Sequence, residues 1–249
     1  MATVILVRHG RSTANTAGVL AGRTPGVLLD DKGLGQAGRT AERLAAVPLA
    51  RIVTSPLERT RQTADAILAH QDIPTSTASA DNTATEITVE AGITECDYGD
   101  WQNRKLSELA KEPLWKTVLG EPSAAVFPGG ESLPAMQARA VEAIRRHDTE
   151  VTETHGTHAV WAAVSHGDII KSLIADAYGM PLDNFQRIHA DPASVTVIHY
   201  GSSGSEGPNS TQVFTVNSSA GDLSWLRPAA SSDSTDAPTD DRIGGGAGH

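Results

Sequence analysis

Three short apolar segments constrain the fold of this 249-residue chain more than any other feature. They are Thr3–Val7, Arg51–Thr54 and His158–Val164, all partly β-branched and too short for helices, as is typical of strands buried on both faces of a sheet. Helical patterns follow the first two strands, at Asp31–Ala46 and Glu58–His70. Because strands that alternate with helices usually pair in parallel, the sequence predicts an α/β fold around a parallel sheet.

The second half of the chain predicts a long helix and two more strands. The helix covers Ser132–Thr154, with Ser132 as its N-cap and Pro134 in its first turn. Apolar and polar residues alternate at 193–200 and 211–217, which indicates a pair of strands. We expect this pair to extend the edge of the sheet.

Two segments lack a regular pattern. Residues 96–130 contain three prolines and little periodicity, and we expect them to form a lid-like insertion. Residues 228–249 contain almost no apolar side chains, so burial cannot offset the entropy lost on ordering. The sequence therefore predicts one domain over residues 1–227, followed by a disordered tail over 228–249.

The charge and composition exclude several classes of partner. The formal charge is −10 and the isoelectric point is near 5.3, so no basic face is expected for nucleic acid or for anionic lipid. No apolar run approaches the roughly 20 residues that span a bilayer. Cys96 is the single cysteine, which excludes an intrachain disulfide, and the first residues lack the pattern of a signal peptide. We predict a cytoplasmic protein without nucleic-acid or membrane partners.

Basic and imidazole side chains follow the predicted strands at the points where the strands end. Arg8, His9 and Gly10 follow the first strand, Arg59 and Arg61 begin the helix after the second, and a Ser-His-Gly sequence (165–167) follows the third. In open α/β sheets, ligands bind beyond the carboxyl ends of the strands. Guanidinium groups match phosphate oxygens, and helix N-termini supply further N–H donors. The pattern predicts a cage for a phosphoryl group.

A structural role and a metal site are the alternatives for these residues. A single histidine or arginine at such a position is more often structural, but burying several of them without an anion would cost several kcal/mol. Glu95 and Asp168 could complete a metal site with the two histidines. Arg8 and Arg59 would repel a cation there, and the chain has no CxxC motif. We therefore predict no metal.

Four motifs in order along the chain resemble the histidine phosphatase superfamily. They are "LVRHG", "SPLERTRQTA", "ITECDYGDW" and "VSHGD", and the resemblance covers roughly residues 3 to 200. It implies a three-layer sandwich, with a central mostly parallel sheet and helices on both faces, and a reaction through a phosphohistidine. The family also contains the cofactor-dependent phosphoglycerate mutases.

The resemblance also implies a role for each matching residue. His9 would be the nucleophile, and Glu95 would be the general acid and base. The phosphoryl oxygens would be held by Arg8, Arg59 and His166. Further phosphate or substrate contacts are implied for Asn15, Gly22, Tyr98 and Gly167.

The chemistry of the residues is compatible with these roles. Neutral imidazole is a good nucleophile near pH 7, and neighbouring cations keep the ring neutral. A carboxyl group must protonate the leaving oxygen and then deprotonate water. From the residues alone, Asp97 or Asp100 could do this as well as Glu95, and the family motif selects Glu95.

The reaction is predicted to be hydrolysis. For a mutase, the resemblance implies a long insertion with an adjacent arginine pair, but residues 96–128 hold only Arg104, Lys105, Lys111 and Lys116 as basic residues. We predict a phosphatase that acts on a small phosphorylated metabolite and needs neither metal nor cofactor. The alternatives are a phosphoglycerate mutase that uses 2,3-bisphosphoglycerate and a non-catalytic protein that binds a phosphorylated ligand. The sequence leaves open whether the chain forms a homodimer.

Overall fold

One mixed sheet organises the fold. In the computed structural model of the chain, the structure describes residues 1–71, 87–201 and 211–219. The strands are β1 (Thr3–Arg8), β2 (Ile52–Thr54), β3 (Ile87–Val89), β4 (Val160–Ser165), β5 (Val195–His199) and β6 (Gln212–Ser218). Their order across the sheet is β3-β2-β4-β1-β5-β6. The first four pair in parallel, while β5 and β6 are antiparallel and extend one edge, as predicted.

Helices follow the strands on both sides of the sheet. The α-helices are α1 (Thr13–Thr16), α2 (Asp31–Leu44), α3 (Glu58–Leu68), α4 (Leu106–Leu109), α5 (Pro113–Gly120), α6 (Leu133–His155) and α7 (Gly167–Ala177). Short 3₁₀ turns lie at Ala91–Ile93, Gly99–Trp101, Pro122–Ala124 and Leu182–Arg187. Ser132 caps α6 by accepting a hydrogen bond from the backbone N–H of Ala135, so the predicted start of this helix is confirmed.

Alternate residues of β1 pack into two separate apolar cores. Val4 and Leu6 join the core that includes side chains of α6 and α7, whereas Ile5 and Val7 join the core that includes side chains of α2 and α3. This follows from the geometry of a strand, in which successive side chains point to opposite faces. The fold is therefore a three-layer α/β sandwich with a mostly parallel central sheet, and the predicted fold class is confirmed.

Residues 96–130 pack closely onto the rest of the molecule. The ring of Trp101 stacks on Trp115 with a centroid distance of 6.1 Å and meets Phe127 at 5.3 Å. All three rings are buried in the larger core. They therefore pack the insertion onto the sheet, whereas the lid-like function of this segment stays a prediction.

Two other predictions concern the extent of the chain. The predicted tail over 228–249 lies outside the described residues, and the single domain over 1–227 stays a prediction. Within the part of the chain that the structure describes, no helix is both long and apolar enough to cross a membrane.

Candidate active site

The strand order brings both histidines of the predicted cage together. Because β1 lies beside β4 in register, Arg8 pairs with Ser165, and His9 and His166 follow directly at the carboxyl ends of the two strands. The backbone N–H of His9 donates to the carbonyl of Ser165 at 3.0 Å. The two imidazole rings lie 5.2 Å apart between centroids, nearly edge to face.

Arg59 reaches the same place from the start of α3. Its side chain is buried, its Nε donates to Nε2 of His9 at 3.3 Å, and its Nη2 donates to the carbonyl of Gly22 at 2.8 Å. Gly22 adopts a left-handed backbone with a φ of 51°, which favours glycine. The loop that contains Gly22 therefore closes one side of the site through its backbone.

The hydrogen bonds of His9 determine which ring nitrogen carries the lone pair. Nδ1 lies 2.7 Å from the carbonyl oxygen of Gly10, which can only accept, so Nδ1 carries the proton. Nε2 then accepts from Arg59 and holds its lone pair inside the site. Burial, followed by the charges of Arg59 and Arg8, holds the pKa of His9 well below its usual range. The ring is therefore neutral and nucleophilic at neutral pH.

His166 and Arg59 each have a buried nitrogen atom without a hydrogen-bond partner among the described residues. Nε2 of His166 lies 2.7 Å from the hydroxyl oxygen of Ser55, and when that hydroxyl donates, the neutral ring carries its proton on Nδ1. Among the described residues, neither Nδ1 of His166 nor Nη1 of Arg59 has a hydrogen-bond partner. Buried polar atoms without a partner are costly, and an anion would satisfy both.

Arg8 is also buried at the end of β1. Its Nη1 donates to the carbonyl of Ala190 at 2.7 Å. Burial lowers the pKa of Arg8 to about 10, although the charges of Glu95 and two aspartates oppose this shift. The group therefore stays protonated at neutral pH and adds a second positive charge beside the histidines.

Glu95 differs from the two nearby aspartates in its surroundings. It is only 3% exposed, and its Oε1 accepts a hydrogen bond from the backbone N–H of Cys96 at 2.9 Å. Burial, followed by the charge of Asp168, raises the pKa of Glu95 to about 7, against the influence of the cage arginines. Asp100 is exposed, and Asp97 accepts hydrogen bonds from the backbone N–H of Gly99 and from a glutamine side chain. The pKa of Glu95 therefore suits proton transfer near pH 7.

The four other predicted contact residues make the following contacts within the described part of the chain. Gly22 accepts from Arg59 as described, and Gly167 is the buried first residue of α7. Asn15 lies in α1, where its Oδ1 accepts from the backbone N–H and the hydroxyl of Ser12. Tyr98 is fully buried and donates its hydroxyl hydrogen to Oδ2 of Asp168 at 2.6 Å. Their contacts with a substrate stay predictions.

Two hydroxyl residues of the site were not identified from the sequence. Ser55 contacts His166, and Thr63 accepts from the backbone N–H of Gly10 while it donates to the carbonyl of Arg59. Thr63 lies four residues after Arg59 in α3, so the helical spacing could have indicated it. The contact of Ser55 could not be predicted from the sequence pattern, because it depends on β2 lying beside β4.

The carboxyl group of Asp168, considered above as a metal ligand, is part of a different network. It accepts from Tyr98 and lies 3.2 Å from Nζ of Lys171, which is also buried. Within residues 1–71, 87–201 and 211–219, no group of three or more histidine, cysteine or acidic residues is arranged to hold a metal ion.

Comparison with known proteins identifies similar sequences and folds. The sequence profile of the histidine phosphatase superfamily (branch 1) matches residues 4–207. Phosphoserine phosphatase 1 of Hydrogenobacter thermophilus is 32% identical over 204 residues, which cover 80% of this chain and 87% of that protein. The probable phosphoglycerate mutase GpmB of Erwinia tasmaniensis is 27% identical over 92% of this chain and 97% of its own length. A mycobacterial glucosyl-3-phosphoglycerate phosphatase structure superposes with a TM-score of 0.70 at 23% identity, covering 87% of this chain and 99% of that one.

Proposed function

Because the chain belongs to the histidine phosphatase superfamily, we propose that it hydrolyses phosphomonoesters of small metabolites through a phosphohistidine on His9. The protonation state and hydrogen bonds of the His9 ring support this proposal most directly. Its ring is neutral, its proton is on Nδ1, and its Nε2 lone pair lies beside a buried guanidinium group. This arrangement suits attack on a phosphorus atom whose oxygens are held by cationic donors.

In the first step, Nε2 of His9 attacks the phosphorus atom and the bond from phosphorus to the ester oxygen breaks. Glu95 in its protonated form gives its proton to the leaving oxygen, so an alcohol is released. Arg8, Arg59 and Nδ1 of His166 donate to the phosphoryl oxygens as charge develops on them. Removal of one such donor typically costs about 10²–10³-fold in rate.

In the second step, Glu95 in its ionised form takes a proton from water, and the oxygen of that water attacks the phosphorus atom. The bond between phosphorus and Nε2 of His9 breaks, which releases inorganic phosphate and regenerates the neutral ring. A pKa of about 7 suits both steps, because the carboxyl group must donate in one and accept in the other.

The mutase alternative receives support from the relative named as a probable phosphoglycerate mutase. We favour hydrolysis, because the few basic residues of the insertion provide little charge for a bisphosphorylated cofactor. Arg104, one of them, is engaged in an ion pair with Glu112 at 2.7 Å. Turnover of phosphomonoesters with and without added 2,3-bisphosphoglycerate distinguishes the two reactions.

The proposed substrate is a small phosphorylated metabolite of the cytoplasm. Phosphorylated small molecules are the substrates named for the phosphatase relatives, such as phosphoserine phosphatase 1. The location and a homodimeric assembly are proposals that subcellular fractionation and analytical ultracentrifugation test.

Replacement of Glu95 by glutamine tests the mechanism. The amide can neither donate nor accept the proton, so turnover of an alkyl phosphate should fall roughly 10²–10⁴-fold. With p-nitrophenyl phosphate the leaving group needs little protonation, so His9 should still be phosphorylated while water attack is slow. Rapid-quench mass spectrometry should then detect an acid-labile, base-stable phosphoenzyme.

Three controls accompany this experiment. The adduct should vanish in the His9→Ala, Glu95→Gln double variant, and Asp97→Asn and Asp100→Asn should not accumulate it. The assays are run after EDTA treatment, because the proposal assigns no step to a metal. Near-normal turnover of Glu95→Gln without an adduct, or turnover that needs added zinc or magnesium, would contradict the proposal.

A further inference from the structure

One peptide group links the Glu95 carboxyl group to two arginines outside the cage. The N–H of the peptide between Glu95 and Cys96 donates to Oε1 of Glu95 at 2.9 Å. The carbonyl oxygen of the same peptide accepts from Nε of Arg23 at 2.9 Å and from Nη2 of Arg139 at 3.2 Å. Because a peptide group is planar, fixing the direction of its C=O also fixes the direction of its N–H. The two arginines therefore control the donor that orients the carboxyl group.

Glu131 holds both arginines in place. Its Oε1 accepts from Nη2 of Arg23 at 2.8 Å and from Nη2 of Arg139 at 2.6 Å, and its Oε2 accepts from Nε of Arg139 at 3.0 Å. The two guanidinium groups would repel each other at one carbonyl oxygen without a shared counter-charge. Burial opposes the ionisation of Glu131, but hydrogen bonds from Arg139 and from the backbone of Asp97 outweigh it and lower the pKa.

The backbone around Glu131 is fixed against the segment that follows Glu95. Oε1 of Glu131 accepts from the N–H of Asp97 at 2.8 Å, and the N–H of Glu131 donates to the carbonyl of Asp97 at 2.9 Å. A Cβ atom at Gly130 would lie only 2.2 Å from that carbonyl oxygen, so this close approach requires glycine. The backbone of residues 95–97 is therefore fixed by hydrogen bonds at the Glu95 carbonyl and again at Asp97.

We propose that Glu131, Arg23 and Arg139 are positioning residues that set the orientation of the Glu95 carboxyl group for proton transfer. The three side chains are called the positioning cluster below. The inference rests on the proposed acid and base role of Glu95. Arg23 directly follows Gly22, whose carbonyl accepts a hydrogen bond from Arg59. The positioning cluster therefore connects the loop that contains Gly22 to the segment that contains Glu95.

The leaving group of the substrate provides the first test. Glu131→Gln keeps the size of the side chain but removes the shared counter-charge. With an alkyl phosphate, kcat should fall about 10- to 100-fold at unchanged KM, since a small misplacement of a reacting group has this scale of effect. With p-nitrophenyl phosphate, phosphorylation of His9 should proceed at nearly the normal rate, and the phosphoenzyme should accumulate as in Glu95→Gln.

Glu150→Gln is the matched control. Glu150 also accepts from two arginines, Arg51 and Arg146, but Arg51 precedes β2 and lies at the opposite edge of the sheet from the site. This variant should retain normal kinetics with both substrates. A loss of turnover in Glu150→Gln equal to that in Glu131→Gln would overturn the proposal, because any lost ion pair would then suffice.

A double variant separates positioning from a direct role in binding. If the cluster acts through Glu95, Glu131→Gln should cause no further loss in a Glu95→Gln background, because residues that act as a unit are not additive. Arg23→Gln, at a more exposed position, should give a smaller effect of the same kind with normal thermal stability. A raised KM in Arg23→Gln that persists in the Glu95→Gln background would instead make Arg23 a substrate contact and overturn the proposal.

The experiment distinguishes this inference from the proposed function. Accumulation of phosphoenzyme in Glu95→Gln but not in Glu131→Gln would overturn the positioning role alone. Normal turnover of Glu95→Gln would overturn the acid and base assignment and the positioning role together. An equal loss in the rate of His9 phosphorylation by Glu131→Gln with both leaving groups, without accumulation of phosphoenzyme, would show a general structural effect and overturn the inference.

Discussion

The proposed phosphate cage and the positioning cluster each contain two arginines, yet their hydrogen bonding differs in one respect. In the cluster, all three nitrogens of the Arg139 guanidinium group donate to protein oxygens, and Glu131 supplies the counter-charge. In the cage, Nη1 of Arg59 has no acceptor in the part of the chain that the structure describes, and the carboxyl group whose charge acts most on Arg59, that of Glu95, has a pKa of about 7. The residue type is the same, so the donor without an acceptor is the observation from which we propose ligand binding for Arg59 and a structural role for Arg139.

This difference has an energetic meaning. A charge-assisted pair that is well hydrogen-bonded holds its segments in place, whereas buried cationic donors without acceptors oppose folding. The pKa of Arg59 is lowered mainly by burial, which reflects that opposition. Under the proposed function, the cage would weaken the unliganded fold and strengthen the binding of an anion, and the cluster would keep the Glu95 carboxyl group in position.

The largest expected effect comes from a pair of arginine variants that tests the contrast. Arg59→Ala removes a cage donor and should lower kcat/KM about 10²–10³-fold with little change in Tm. Arg51→Ala removes a satisfied arginine that is ion-paired with Glu150 at 2.7 Å. It should leave kcat/KM unchanged and lower Tm slightly, because a partly exposed ion pair contributes only about 0–1 kcal/mol. Steady-state kinetics and thermal melts measure both. Normal kcat/KM in Arg59→Ala would place Arg59 among the structural arginines.

Stabilisation by inorganic phosphate is the next effect in size. An anion that binds only the folded cage should raise the free energy of unfolding by about 2.7 kcal/mol at a concentration 100 times its Kd. The shift in Tm should be lost or reduced in Arg59→Ala and retained in Glu131→Gln, because the cluster does not contact the anion. Equal shifts in both variants would mean that phosphate binds elsewhere.

The sequence predicts the cage better than it predicts the cluster. Each cage residue follows a strand end in a short local motif, and parallel strands place such ends at one edge of a sheet, so Arg8, His9, Arg59 and His166 could be grouped before the fold was known. The contact between Ser55 and His166 depends on the strand order, which the sequence pattern does not specify.

The cluster assembles from distant segments. Arg23, Glu131 and Arg139 are more than 100 residues apart at their extremes, and none lies at a strand end. Charged side chains at such positions usually lie in solvent, so their pairing becomes visible only once the loops are packed together. The short helices of residues 96–130 could not be predicted for a related reason, because they are fixed by tertiary contacts of Trp101, Trp115 and Phe127 rather than by periodicity.

The smallest of the three expected effects is the change in stability with pH. As the pH rises, Glu95 and Glu131 should change the free energy of unfolding in opposite directions. Folding raises the pKa of Glu95 from its usual value near 4.5 to about 7, so between these values the folded state holds a proton that the unfolded state releases. Stability from this group therefore falls as pH rises through that window. Folding lowers the pKa of Glu131, so its contribution is present above the usual value and is lost as the pH falls through the lowered one.

Thermal melts of the wild type, Glu95→Gln and Glu131→Gln from about pH 3 to pH 8 measure both directions of change. The pKa values of His9 and His166 are lowered on folding, which makes stability fall with acidity, but this contribution is common to all three proteins and cancels in the differences. The Tm of the wild type minus that of Glu95→Gln should decrease as pH rises from about 4.5 to 7. The Tm of the wild type minus that of Glu131→Gln should increase as pH rises through the acid range and then stay level. Slopes of the same sign would show that both carboxyl groups are in equivalent environments, and the contrast between an anion cage and a satisfied charge cluster would fail.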